Sequence, residues 1–133
     1  MKEISELNFP IDVRHAIDHE WARLEGNEIK IGINDYAQDQ LGDVVFVELP
    51  AIGAHFKAGE AFGTVESVKA VVELFMPISG KIIAINSELE SAPELVNSNP
   101  YDGGWMILVV PDNLNEFENL MDRDTYLTML CRV

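Results

Sequence analysis

Gly63-Thr64-Val65-Glu66-Ser67-Val68-Lys69-Ala70-Val71-Val72-Glu73-Leu74 places two β-branched runs on either side of a short polar interruption, the composition of a strand, a tight turn and a second strand. A hairpin of this kind makes the sheet around it antiparallel. Outward from it, Ile29–Ile33, Val44–Leu49, Ala61–Glu66, Val71–Phe75, Lys81–Ile85 and Trp105–Val110 all have strand length and composition, with Gly and Pro residues between them. Between the first two runs, Asn34 is a suitable N-cap for a short helix carrying Tyr36, Ala37, Gln40 and Leu41, and Gly42 supplies its stop. Beyond Pro111 the period changes: Leu114, Phe117, Leu120 and Met121, then Tyr126, Leu127 and Leu130, recur at helical spacing and predict one or two terminal helices over an end of the sheets. A faint repeat, Gly42-Asp43-Val44-Val45 against Gly80-Lys81-Ile82-Ile83 and Ala58–Phe62 against Ala92–Val96, suggests two similar β units facing each other. The expected fold is mainly β: a flattened antiparallel sandwich or barrel with short flanking helices.

With 133 residues the chain has room for one packed domain, read as an N-terminal segment 1–16, a β domain 17–111 and a C-terminal helical segment 112–133 packed on it. Nine Lys and Arg against 23 Asp and Glu give a net charge of −14. Acids spread along the whole chain repel phosphate backbones and anionic lipid, so neither nucleic acid nor membrane is an expected partner. No apolar run reaches the length of a membrane span, and the start, Met1 to Glu6, lacks the apolar core of a signal peptide. The single cysteine, Cys131, forms no intrachain disulfide, which fits a reducing compartment. His15, His19 and His55 lack the short spacing of metal ligands, and no metal is expected. Phosphate-loop, nucleophile-elbow, Cys-x-x-Cys and His-Glu-x-x-His signatures are absent from the sequence.

The hairpin places Lys69 near its tip. At a turn tip its amine stands off the protein on a four-carbon stem, accessible to a modifying enzyme. By geometry alone it is also the ordinary polar residue of any hairpin.

Context separates these readings. Glu66-Ser67-Val68-Lys69-Ala70, with Gly63 before it and Gly80 after it, resembles the swinging-arm site of lipoyl carrier domains; biotin carriers share the architecture but place Met on both sides of the lysine. His19-Glu20-Trp21, Gly32 to Pro50, Lys57-Ala58-Gly59-Glu60, Pro77-Ile78-Ser79-Gly80, Pro93-Glu94-Leu95-Val96-Asn97 and Pro100-Tyr101-Asp102-Gly103-Gly104-Trp105 extend the resemblance to the glycine cleavage H-protein family over residues 17–130. The chain departs from the usual pattern at Ala16-Ile17-Asp18, at Val72, and at Glu73, where Asp is usual.

The resemblance implies a lipoyl/biotinyl-carrier hybrid barrel with lipoate amide-linked to Lys69, presented by Glu66, Ser67, Val68 and Ala70, and docked near His19, Glu20 and Glu73. It implies a non-catalytic carrier that takes an aminomethyl group from the pyridoxal-phosphate glycine decarboxylase (P protein) to the tetrahydrofolate-dependent aminomethyltransferase (T protein). Dihydrolipoyl dehydrogenase (L protein) then reoxidises the arm, and a lipoate ligase or lipoyltransferase attaches it. A bacterial cytoplasm, or a mitochondrial matrix for a processed eukaryotic form, is the expected setting. Two alternatives stay open. One is a lipoyl relay, or a carrier for a 2-oxo-acid complex; the other is an enzyme using Lys69 as a Schiff-base nucleophile, chemistry that wants a desolvated lysine.

Overall fold

The computed structural model describes residues 2–131; Met1, Arg132 and Val133, at the ends of the segments 1–16 and 112–133, lie outside the described residues. In chain order the elements are β1 (Arg14–His15), β2 (Glu20–Glu25), β3 (Glu28–Ile33), α1 (Asp35–Leu41), β4 (Val44–Glu48), β5 (His55–Phe56), β6 (Ala61–Ser67) and β7 (Val71–Phe75), followed by β8 (Gly80–Ile85), α2 (Leu95–Ser98), β9 (Ile107–Pro111), α3 (Leu114–Glu118) and α4 (Arg123–Leu130). Short 3-10 turns cover Ile4–Glu6 and Ser87–Glu90. Six strands form one sheet in the order β1-β2-β3-β9-β8-β5 and three form a second in the order β4-β6-β7. All the strand pairings are antiparallel. No helix among the described residues is long and apolar enough to cross a membrane.

The two sheets meet because their strands alternate. Ile29, Ile31 and Ile33 of β3 are buried and join Val44 and Val47 of β4, Phe62 and Val65 of β6, Leu74 of β7, Ile82 of β8, and Ile107 and Val109 of β9 in one core. Each such side chain contributes about 1.5–3 kcal/mol of burial, so the core rather than any strand propensity fixes the architecture. A polar bond also joins the sheets: the Phe75 amide of β7 donates to Glu20 Oε2 of β2 at 3.2 Å.

The mainly antiparallel expectation is met, and Val71–Phe75 has the expected bounds. Three strands were not signalled. β1 and β5 have two residues each, too short for a pattern. Glu20-Trp21-Ala22-Arg23-Leu24-Glu25 carries charge on both faces, yet Glu20, Trp21 and Ala22 are all buried, Trp21 beneath Val13 and Tyr101. The strand expected at Trp105–Val110 runs instead from Ile107 to Pro111. The sheets are also unequal, and the repeat does not extend: Ala58–Phe62 leads into β6, whereas Ala92–Val96 enters α2.

Both expected helical regions form. Asn34 caps α1 by accepting from the Ala37 amide at 2.9 Å. Phe117 of α3 enters the main core, while Tyr126 and Leu130 of α4 pack with Phe9 in a separate cluster. His15 and Met121 exchange two backbone hydrogen bonds, 2.8 and 3.0 Å. α4 is thereby held against the edge strand β1, beside the His15 to Glu20 segment.

Candidate functional site

The β6–β7 turn is organised by Ser67, which is buried. Its amide donates to the Ala70 carbonyl at 2.8 Å. Its Oγ accepts from the amides of Lys69, 3.2 Å, and Ala70, 3.1 Å. A serine oxygen folded back onto nearby amides stabilises a tight turn without help from the sheet. The Val68 amide donates to the Asp43 carbonyl at 3.0 Å, tying the tip to the α1–β4 connection. Asn97 secures that connection in turn, donating to the Gly42 carbonyl at 2.8 Å and accepting from the Val44 amide at 2.8 Å.

On this support Val68, Lys69 and Ala70 are exposed. Glu66 lies in one cross-strand row with Phe46 and Val71. Phe46, Val68 and Val71 are 52%, 70% and 67% exposed, so the lysine rises from an apolar platform interrupted by a carboxylate.

Close approach, not a special backbone angle, excludes a side chain at both Gly63 and Gly80, but only Gly63 belongs to the hairpin; Gly80 packs on β9 in the six-stranded sheet. A Cβ at Gly63 would meet the Glu48 carbonyl oxygen at 2.2 Å, and one at Gly80 would meet that of Val110 at 2.6 Å. Gly63→Ala and Gly80→Val should each cost about 1–3 kcal/mol, as overpacking does, lowering the melting temperature by several degrees in a thermal scan. Gly63→Ala should also slow modification of Lys69.

Beside Ala70 a cleft of about 260 Å³ opens between β2, α1 and β7. Its walls are largely apolar, with Leu41, Val65, Val72 and Leu74, and its polar groups include Asp18, His19, Glu20 and Glu73. The turn lysine's neighbour Ala70 and Glu73 are thus brought together with His19 and Glu20 from two separated segments.

Glu20 is 2% exposed. Oε2 takes the Phe75 amide, but Oε1 is buried without a partner among the described residues. Burial pushes its carboxyl up to about 8; the Phe75 amide opposes that rise and Asp18 adds to it. An unpaired buried carboxylate is costly, so burial here favours the protonated carboxyl. Glu73 is exposed and lines the same cleft.

His19 takes a positive φ of 75°, unusual for a residue with a side chain. Its Nδ1 lies 2.6 Å from the Tyr126 hydroxyl and its ring packs on Tyr36, centroids 4.8 Å apart. Burial lowers its pKa, opposed by Asp18. Tyr126, Tyr36 and His15 were not singled out as site residues from the sequence: Tyr126 reads as a core position of α4, and nothing local announces the contact across 107 positions. A larger polar cleft of about 540 Å³ shares no lining residue with the Lys69 turn. Its Arg23 already pairs with Asp12 at 3.2 Å and Glu25 at 3.6 Å.

A model of the glycine cleavage H-protein matches residues 13–132. The chain belongs to the glycine cleavage H-protein family. It is 52% identical over 124 residues to the glycine cleavage system H protein of Anoxybacillus flavithermus, covering 93% of this chain and 98% of that one. The H protein of Brevibacillus brevis shows the same identity and coverage. The crystal structure of a glycine cleavage system H protein from Mycobacterium marinum superimposes with a TM-score of 0.85 at 33% identity, over 92% of this chain and 99% of that one. The H-protein fold, with its lipoyl-domain architecture of two antiparallel sheets, is therefore shared over nearly the whole chain.

Proposed function

We propose that Lys69 is the lipoyl attachment residue of this H protein and that the adjoining cleft shelters the loaded end of the arm. The chain is a lipoyl carrier of glycine cleavage, and on this reading it catalyses nothing itself. The observation carrying the site assignment is the juxtaposition of an exposed turn lysine with an apolar cleft whose wall holds a buried carboxyl oxygen without a partner among the described residues.

The residues present suit a lipoyl group. Leu41, Val65, Val72 and Leu74 offer apolar surface to a hydrocarbon arm, and Glu20 and Glu73 offer carboxyls to a cationic end. When bound, lipoate supplies a dithiolane able to carry an aminomethyl group on sulfur. Ser67 fixes the turn that presents Lys69. Glu66, Val68 and Ala70 form the surface that the lipoate ligase or lipoyltransferase meets. Glu20 releases its proton and becomes an anion opposite the ammonium cargo, a charge-assisted contact in a poorly solvated wall. The apolar lining keeps water from the cargo.

On this reading the partners are glycine decarboxylase, the tetrahydrofolate-dependent aminomethyltransferase and dihydrolipoyl dehydrogenase, in a bacterial cytoplasm. The net charge of −14 favours fast, salt-sensitive encounters with basic partner surfaces. Incubating the lipoylated chain with purified glycine decarboxylase and isotopically labelled glycine tests the assignment. The label should appear as an added aminomethyl mass on the peptide containing Lys69. A chain that is lipoylated but never loaded belongs instead to a lipoyl relay or to another complex.

A further inference from the structure

Behind the cleft wall lies a buried hydrogen-bond chain that reaches the cleft through His19. Asn34 sits at its centre, fully buried. Because Asn34 Oδ1 accepts from the Ala37 amide at the start of α1, the orientation of its amide is fixed and both Nδ2 hydrogens point the other way. One goes to His15 Nδ1 at 3.2 Å and the other to the Tyr126 hydroxyl at 2.9 Å. The tyrosine oxygen is thereby an acceptor from Asn34, and its one hydrogen is left for His19 Nδ1 at 2.6 Å. The arrangement that gives every one of these groups a partner makes His19 Nδ1 the bare nitrogen of a neutral ring, with the proton on Nε2. His15 is in the same state and stacks on Tyr126, centroids 4.4 Å apart.

We propose that Asn34 and Tyr126 are positioning residues of the docking cleft: through a directed hydrogen-bond chain they hold the His19 imidazole neutral, with Nε2–H as its only donor, so that the cleft offers no competing cation to an ammonium-bearing arm. The proposal rests on the reading of Lys69 as the arm's attachment point. The strained backbone at His19, φ 75°, accords with this, since an unfavourable conformation persists where its surroundings over-determine it.

The titratable groups around His19 come from every neighbouring element. They are Asp18 and Glu20 on its own segment, Tyr36 from α1, Glu73 from β7, Tyr126 from α4 and, behind Tyr126, His15 from β1. The acids would attract a proton to His19. Burial opposes it, and so does the hydrogen bond that Tyr126 donates to Nδ1, which a proton there would displace.

Tyr126→Phe removes one oxygen and keeps the packed ring. In nitrogen-15 spectra of the unloaded wild type, His19 should appear as a single Nε2–H tautomer. In the variant it should become a tautomer mixture and take up a proton at higher pH. With lipoylated and loaded protein, loss of the aminomethyl group at pH 6 should be about threefold faster from the variant than from wild type, the scale of one partly exposed like-charge contact, and the two should converge at pH 8. Asn34→Ser, which retains a capping oxygen but removes the amide donor, should move both measurements in the same direction and serves if Tyr126→Phe does not fold. An unchanged His19 tautomer and titration, or a changed tautomer with equal loss rates at pH 6, would overturn the proposal. A wild type that lipoylates but never loads overturns the carrier reading instead, and the spectra of the unloaded protein keep these two failures apart.

Discussion

Lys69→Arg should yield a folded protein that gains no lipoyl mass in a lipoate-replete host and carries no aminomethyl group. The guanidinium keeps the positive charge and most of the stem but has no amine that a ligase can acylate under these conditions. Lys69 is exposed, and substitutions at such positions usually change stability by no more than about 0.5 kcal/mol, so the melting temperature should match wild type. The turn supports this separation of effects, because its hydrogen bonds use the Lys69 backbone amide and the Ser67 hydroxyl, not the lysine side chain. Lys2, Lys30, Lys57 and Lys81 offer no substitute. Lys30 packs on Trp105 and pairs with Glu25 at 3.4 Å, and none of the four follows a serine-organised turn. Full lipoylation of the variant, read by intact mass, would remove Lys69 from the site and leave the cleft without an arm.

The Lys69 hairpin was legible because its signals are local. β-branched runs, a serine two residues before the lysine and a glycine at a close backbone approach all lie within 13 residues of sequence, from Gly63 to Phe75. The capping role of Asn34 was legible for the same reason. Glu20 marks where local reading stops. Its strand was not recognised, since Glu-Trp-Ala-Arg-Leu-Glu presents charge on both faces; its burial follows only once β7 and α1 close over it. The H-protein resemblance placed Glu20, Glu73 and His19 near the arm but carried no information on their environments. The Asn34–Tyr126 chain had no sequence signal at all, because its members sit 92 positions apart and each has an ordinary structural reason to be where it is.

Glu20→Gln should show two distinct effects, one on folding and one on cargo. The amide keeps the shape and an acceptor for the Phe75 N–H but never ionises. In the wild type, burial holds the Glu20 carboxyl up at about 8 against an ordinary 4.5, so the folded chain binds this proton more tightly than the unfolded chain does. The stability it contributes is complete below about pH 4.5 and is lost as pH rises through 8. Wild type should therefore lose stability relative to Glu20→Gln across that window, by up to something on the order of 4 kcal/mol, measured as the difference between denaturant curves of the two proteins at successive pH values. A flat difference would mean that Glu20 ionises freely and that the cleft wall is wet.

The cargo effect has the opposite sense. Once an ammonium group occupies the cleft, the ionised carboxylate becomes the favoured state, and a hydrogen bond between charged partners is worth about 1.5–3 kcal/mol. Release of ammonia and formaldehyde from the loaded carrier, without the transferase, should be at least about tenfold faster from Glu20→Gln. It should be faster still from Glu20→Gln/Glu73→Gln, where both carboxyls lining the cleft are lost. A variant more stable than wild type at pH 8 that nevertheless loses its cargo sooner would place the cost of the buried acid on folding and its benefit on the arm. Equal release rates would remove the sheltering role and leave Glu20 as a structural bridge from β2 to the Phe75 amide.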